Sequence, residues 1–187
     1  MSAETLRRAF ASTATVLGNV SPEQFANPTP CASWDVRALV NHIVGGPDVF
    51  AEAAETGVSP GRSGEDFTTG DYRAVFRRGA ERAVAAFAAE GAMEKPMKVP
   101  IGEVPGAMFV HIAAIDTFTH GWDLAKATGQ ATDLDPELAS HLLAVARASL
   151  PDRLRGADGA APFGPEVEAG ESSTAADNLA AFMGRHA

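Results

Sequence analysis

The stretch HIAAIDTFTHGWDLAKATG, residues 111–129, decides how the chain is read. It completes a helical pattern that starts near Gly106 and runs to Thr128, with Gly129 where a left-handed C-terminal cap belongs. Each residue of an α-helix turns about 100°, so Asp116 and His120 stand about 40° apart, one turn along one face. Asp123 falls about 20° to the other side of Asp116, and Phe109 and Ile112 continue the line toward the N-terminus. A carboxylate, an imidazole and a second carboxylate thus follow an apolar stripe, inside a bundle or at its mouth. Burying such groups is costly unless they are paired or bind a cation. An i, i+4 carboxylate–imidazole pair can chelate one divalent ion from a single rigid helix. It can equally form a buried charge-assisted hydrogen bond that pins helices together, and spacing alone leaves both readings open.

A third ligand must come from another helix, and His42 is the candidate. Val36, Leu39, Val40, Ile43 and Val44 form the buried stripe of a helix for which Ser33 is the expected N-cap. His42 points about 130° from the centre of that stripe, so it is no obvious core filler; read alone, it is an ordinary hydrogen-bonded histidine. Gly45-Gly46-Pro47 should bend or interrupt the helix, and the missing side chains leave room for a ligand. Around these two segments the pattern is helical throughout. Leu6, Phe10, Leu17 and Val20, with Thr13 between, give a first helix over 3–20. A proline-rich loop covers 21–32, with a helical turn at 22–25, and a glycine- and serine-rich loop covers 58–70. A third helix spans about 71–90. The segment 92–106 is an extended connection or a small hairpin. Asp135-Pro136-Glu137 starts a helix that runs to Pro151, and after an irregular tail a short helix covers about 173–183. The expected fold is an all-α helical bundle in one domain, with a core of about 3–150 and an extension of about 151–187.

Composition narrows the function classes. A formal charge of −9 and a pI near 4.9 argue against nucleic acid or an anionic membrane as partner. No apolar run approaches a membrane span, and no signal peptide is evident. The single cysteine, Cys31, excludes an internal disulfide and points to a reducing, cytoplasmic setting. Cys31 reads as a small buried thiol rather than a nucleophile, since no basic or histidine residue adjoins it. Trp122 reads as a packing residue, and Asp123 as a partner that orients a ligand histidine or as a helix-surface acid. His111 faces elsewhere on an ideal helix, and His141 and His186 read as surface or C-terminal residues. Glycine-rich phosphate loops, a GxSxG elbow, Cys-x-x-Cys pairs and Glu-x-x-His pairs are all lacking in the sequence.

The segments TPCASWDVRALVNHIVGG (29–46), IDTFTHGWDLAKATG (115–129) and FGPEV (163–167) resemble a family of small actinobacterial proteins. These are DinB-like bundles related to the metal-binding N-terminal domain of mycothiol-dependent maleylpyruvate isomerase. The resemblance implies a four-helix bundle in up-down-down-up order, with His42, Asp116 and His120 as the metal ligands. It also implies zinc, with nickel as the other candidate, a low-molecular-weight thiol as cosubstrate, and a homodimer as the assembly. The isomerase has a glutamate at the position of Asp116 and a further C-terminal domain that supplies part of its active site, so maleylpyruvate isomerisation itself is not inferred.

Two imidazoles and one carboxylate leave zinc a fourth position for water, thiol or substrate. The expected function is therefore a metal-dependent thiol transferase or isomerase acting on a small electrophile, in a dry pocket lined by Phe109, Ile112 and Trp122. Metal-activated water attacking a small ester or amide is a variant of the same site. The alternative is a non-catalytic metal- or small-ligand-binding module in stress response or regulation; a purely structural reading predicts no bound metal. The sequence names no general base and no substrate-binding arginine.

Overall fold

The structure, a computed structural model, describes residues 3–31, 33–100, 102–156, 161 and 163–186. Helix α1 (Ala3–Gly18) buries Leu6, Phe10, Thr13 and Leu17, the face that their spacing predicts. Helices α2 (Val36–Thr56), α3 (Tyr72–Ala88) and α4 (Gly106–Thr128) complete the bundle. The segment between α3 and α4 takes the hairpin form: β1 (Pro96–Val99) pairs antiparallel with β2 (Gly102–Pro105). Helix α5 (Pro136–Ser149) and the short α6 (Ala175–Phe182) follow.

Side-chain contacts fix the direction of each helix. Thr13 Oγ1 of α1 donates to Thr117 O at 2.9 Å, and beyond the end of α4 Gln130 Nε2 donates to Val16 O, so α1 and α4 run parallel. Gly79 of α3 lies against Pro47 of α2 and Arg82 reaches Glu55, so α2 and α3 also run parallel. The Phe10 and Phe76 rings meet edge-on while Arg73 reaches Val20 O, which makes α1 and α3 antiparallel. Likewise, His42 meets the C-terminal half of α4 while Phe50 meets Phe109 in its first turn, so α2 and α4 are antiparallel. Consecutive helices α1 and α2 lie across a diagonal of the bundle. This is the all-α, DinB-like architecture in up-down-down-up order. The parallel pair α2–α3 requires the chain to cross the length of the bundle, which the segment 57–71 does.

Two local expectations are corrected. Ser33 is not the N-cap of α2. Asp35 caps it, its carboxylate accepting from Ala38 N–H at 2.8 Å, because a bridge between Pro28 and Asp35 holds the chain extended up to that residue. Nor do Gly45, Gly46 and Pro47 interrupt the helix, which continues to Thr56 with Pro47 inside it. Pro47 removes one backbone donor, yet it is buried against α3 where Gly79 has no side chain; a Cβ there would meet Pro47 Cβ at 3.0 Å. Packing thus holds a sequence that local propensity would break.

The irregular tail is folded back onto the bundle. Trp122, fully buried, donates from Nε1 to Asp177 Oδ1 at 2.8 Å and so ties α6 to α4. Gly164 and Gly184 meet back to back, Gly184 in the left-handed region, where a side chain on Gly184 would come within 2.7 Å of Gly164 Cα. That close crossing sets the path of the last residues. Residues 157–160 and 162 of the expected tail, and Ala32 of the expected proline-rich loop, lie outside the described residues. No helix among the described residues is long and apolar enough to cross a membrane.

Gly121 sets how closely α4 approaches α1, because an added Cβ would sit 2.5 Å from Thr13 Oγ1. Gly121→Ala is expected to cost about 1–3 kcal/mol in urea unfolding, as overpacked cores do. The cost should shrink in a Thr13→Ala background, where the colliding hydroxyl is gone.

Candidate metal centre

The centre forms where the C-terminal half of α4 passes the first turns of α2. Asp116 Oδ1 lies 3.5 Å from His42 Nε2 and 3.6 Å from His120 Nε2. The three donor atoms all fall within 4.8 Å of one another. Donors about 2.0–2.1 Å from a tetrahedral zinc stand about 3.3 Å apart, so the observed spacing needs only a small contraction around an ion. The donor set of two imidazoles and one carboxylate suits the same cation.

The other ring nitrogen of His120 is also engaged. Asp123 Oδ2 lies 3.0 Å from His120 Nδ1 and is fully buried, so Nδ1 carries the proton and Nε2 is directed at Asp116 and His42. Asp123 in turn accepts from Arg185 Nη2 at 3.1 Å and Nε at 3.2 Å, and the Cys31 thiol donates to it at 3.2 Å. Arg185 Nη2 lies 3.3 Å from Cys31 Sγ, and Nη1 donates to Met183 O. Cys31, His120 and Asp123 also form a group close enough to ligate a metal. There, however, a guanidinium whose side chain is only 13% exposed already bonds both the sulfur and the carboxylate. The donor set His42, Asp116 and His120 is the better cation site.

Local structure explains the loop's part. The Thr29 hydroxyl accepts from Cys31 N–H and bonds the carbonyls of Cys31 and Trp34, a side-chain turn that fixes both residues. The Trp34 indole then packs on His42 (4.5 Å between ring centroids) and His120 (5.5 Å). A cavity of about 530 Å³ opens beside the imidazoles, walled by Trp34, Cys31, Thr119, Phe163, Met183 and Arg185, with exposed His186 at its edge. Thr119 is 3% exposed and its Oγ1 has no hydrogen-bond partner, an orphaned hydroxyl at the cavity wall.

Several sequence expectations end differently here. Phe109, Ile112 and Trp122 are absent from the described residues that line the cavity. Phe109 stacks in the core with Phe50 and Phe87, and Ile112 is half-buried against that core. Angular alignment with Asp116 is not proximity: seven residues at 1.5 Å each put Phe109 about 10 Å along the axis. The room expected at Gly45 and Gly46 is taken by the Phe67 ring and by Arg62. Arg62 Nη2 is 3.1 Å from His42 Nε2 and 3.9 Å from Asp116 Oδ2. Cys31 has basic and histidine neighbours after all, brought from α4 and the C-terminal tail. Trp34, Thr119, Arg62 and Arg185 escaped the sequence reading, and apart from Trp34 and Thr119, which lie inside the quoted site segments, no local signal marked them.

Electrostatics divide the two imidazoles. Burial pushes the His42 pKa down to about 4, against the pull of Asp116. Burial also acts to lower His120, but the Asp116 carboxylate overcomes it and holds that imidazole well above its usual value. Asp116 ends well below the ordinary carboxylate range because the two imidazoles outweigh its burial. Burial likewise opposes ionisation of Asp123, and the His120 hydrogen bond and Arg185 charge reverse it.

Comparisons with known proteins give the chain's family. The family model of the mycothiol maleylpyruvate isomerase N-terminal domain matches residues 6–125, and the chain belongs to that family. Uncharacterized proteins of Mycobacterium tuberculosis, Rv0738 in strain H37Rv and MT0763 in strain CDC 1551, are each 40% identical over 179 residues, 96% of this chain and 94% of theirs. Among solved structures, the crystal structure of the mycothiol-dependent maleylpyruvate isomerase superposes with a TM-score of 0.58 at 18% identity. The match covers 76% of this chain but 66% of that one, and a point mutant of the same enzyme gives 0.53 over the same shares. At this identity the likeness concerns the fold.

Three outcomes are expected. In the ion-free protein, imidazole titrations followed by NMR should place His42 near pH 4 and His120 well above 6.5. The depressed His42 makes the protein lose stability as pH falls from about 6.5 toward 4, since the unfolded chain takes that proton first. The raised His120 contributes stability below 6.5 that fades as pH climbs through its folded pKa. Arg185→Ala leaves a fully buried carboxylate without its guanidinium, and thermal or urea unfolding should show a loss of about 3–5 kcal/mol.

Proposed function

We propose that His42, Asp116 and His120 hold one divalent cation, with zinc favoured and nickel the other candidate. In this reading the protein uses that ion to activate a low-molecular-weight, mycothiol-type thiol, which it transfers to a small electrophile or uses in isomerising one. The convergence of three donors from two helices, with the back of His120 fixed on Asp123, is the observation that carries the proposal. The family's mycothiol enzyme supplies the thiol part of the reading.

A divalent ion bound to two neutral imidazoles and a carboxylate lowers the pKa of a coordinated thiol, so that a thiolate is available at neutral pH. The chain's own residues do the rest. Asp123 holds a proton on His120 Nδ1, which leaves Nε2 as the ring nitrogen that would take the ion. Arg185 keeps Asp123 ionised in a position where water does not reach it. Trp34 covers both imidazoles and excludes solvent from that side. The cavity accommodates a small electrophile beside the ion, and Thr119 Oγ1 offers a hydrogen bond to a polar atom of a bound molecule.

Calorimetric zinc titration separates the roles. Asp123→Asn should bind zinc about 10–100-fold more weakly while remaining folded, the usual effect of removing the partner of a ligand histidine. Asp116→Asn should bind no stoichiometric zinc and show no metal-dependent consumption of a monobromobimane-type electrophile by added thiols. Stoichiometric zinc binding by Asp116→Asn would refute the ligand assignment; tight binding by the unaltered protein with no turnover of any electrophile would refute the enzymatic part.

A further inference from the structure

Arg62 lies on the segment between α2 and α3, in a stretch that is neither helix nor strand, yet it reaches the centre of the site. Its Nη2 stands 3.1 Å from His42 Nε2 and its Nη1 donates to the His42 carbonyl at 2.9 Å. A guanidinium has no acceptor, so the ring nitrogen must accept, and the bond uses the lone pair of Nε2. An ion held by His42 through the same nitrogen needs the same lone pair. The two claims exclude one another. Charge adds to the conflict, because Nη2 is also 3.9 Å from Asp116 Oδ2, and a guanidinium there occupies the place of a cation.

The consequence reaches the loop. Its start is held by Ser59 N–H donating to Lys98 O, and its end by Asp66, which accepts from Arg37 and Asn41. Between those anchors, the hydrogen bonds from loop to body come from Arg62 among the described residues. Arg62 itself is 38% exposed in its side chain, so it can swing into solvent at little packing cost, whereas Arg185 is enclosed.

We propose that Arg62 is a displaceable latch: its guanidinium stands in for the cation when no metal is bound, and metal binding expels it and releases the loop between the Ser59 and Asp66 anchors. The proposal rests on the reading of His42, Asp116 and His120 as an ion site. It makes metal binding and loop opening one coupled event, with Arg62 as the competitor that sets the apparent affinity.

Hydrogen exchange by mass spectrometry and calorimetry on the full chain, with Zn²⁺ as the probe, test this together. Zinc should speed amide exchange between those anchors while slowing it in the facing turns of α2 and α4. Arg62→Ala should bind zinc about ten- to a hundredfold more tightly, because no charged hydrogen bond has to be given up, and its loop should exchange fast with or without the ion. Arg62→Gln, which keeps most of the side chain's bulk but not its charge, should follow Arg62→Ala. Zinc binding with unchanged or slower exchange between the anchors, or an Arg62→Ala protein that binds no more tightly, overturns the latch and leaves the ion site standing. Absence of zinc binding in both proteins overturns the ion site and the latch with it.

Discussion

Oδ1 of Asp116 is shared between imidazole nitrogens on two helices, 3.5 and 3.6 Å away. Such an arrangement joins α2 to α4 through ionisable groups at one point, beside the apolar contact of Phe50 with Phe109 farther along the same pair. Burying these groups opposes folding unless each finds a partner. The surrounding structure supplies those partners one after another: Asp123 behind His120, Arg185 behind Asp123, and Trp34 over both rings. A stripe of leucines would hold the helices at lower cost. Three metal-type donors thus meet at one point, with the loop of Cys31 and Trp34 and the C-terminal tail packed around it.

The C-terminal tail has a share in this that its composition conceals. α6 is anchored on α4 through Trp122 and Asp177, and the crossing of Gly164 with Gly184 directs the last residues back across the bundle end. Arg185 arrives there as the counter-charge for a carboxylate near the C-terminal end of α4. Half of the FGPEV segment's meaning is steric: its glycine is where two backbones touch. One wall of the cavity, formed by Phe163, Met183 and Arg185, belongs to this tail, so bundle and extension build the site jointly.

The fold was legible because helical period, caps and breakers are local. Asp116 and His120 could be paired from four-residue spacing, and His42 stood out for pointing away from its own apolar stripe. Failures came where distant parts of the chain decide. Arg185 meets Asp123 across 62 positions and Cys31 meets His120 across 89, and no periodicity spans such gaps. Pro47 reads as a helix breaker until Gly79 of another helix is seen to receive it. Ser33 and Asp35 are equally good caps by residue type, and a bridge to Pro28 chooses between them. Phe109 shows the limit of a helical wheel, sharing a direction with Asp116 but not a level, whereas Trp122 lies about 120° round from Asp116 and points to another side, as the wheel requires.

The account stands on which atoms hold the ion, and X-ray absorption at the zinc edge on the zinc-loaded full chain reads those atoms directly. Before any thiol is added, the spectrum should show two imidazoles and light O/N scatterers at about 2.0 Å, without sulfur. Addition of a low-molecular-weight thiol should then bring in one sulfur at about 2.3 Å. Sulfur in the first shell of the thiol-free protein would place the ion on Cys31 instead, and a single imidazole would separate His42 from His120; either result contradicts the central claim.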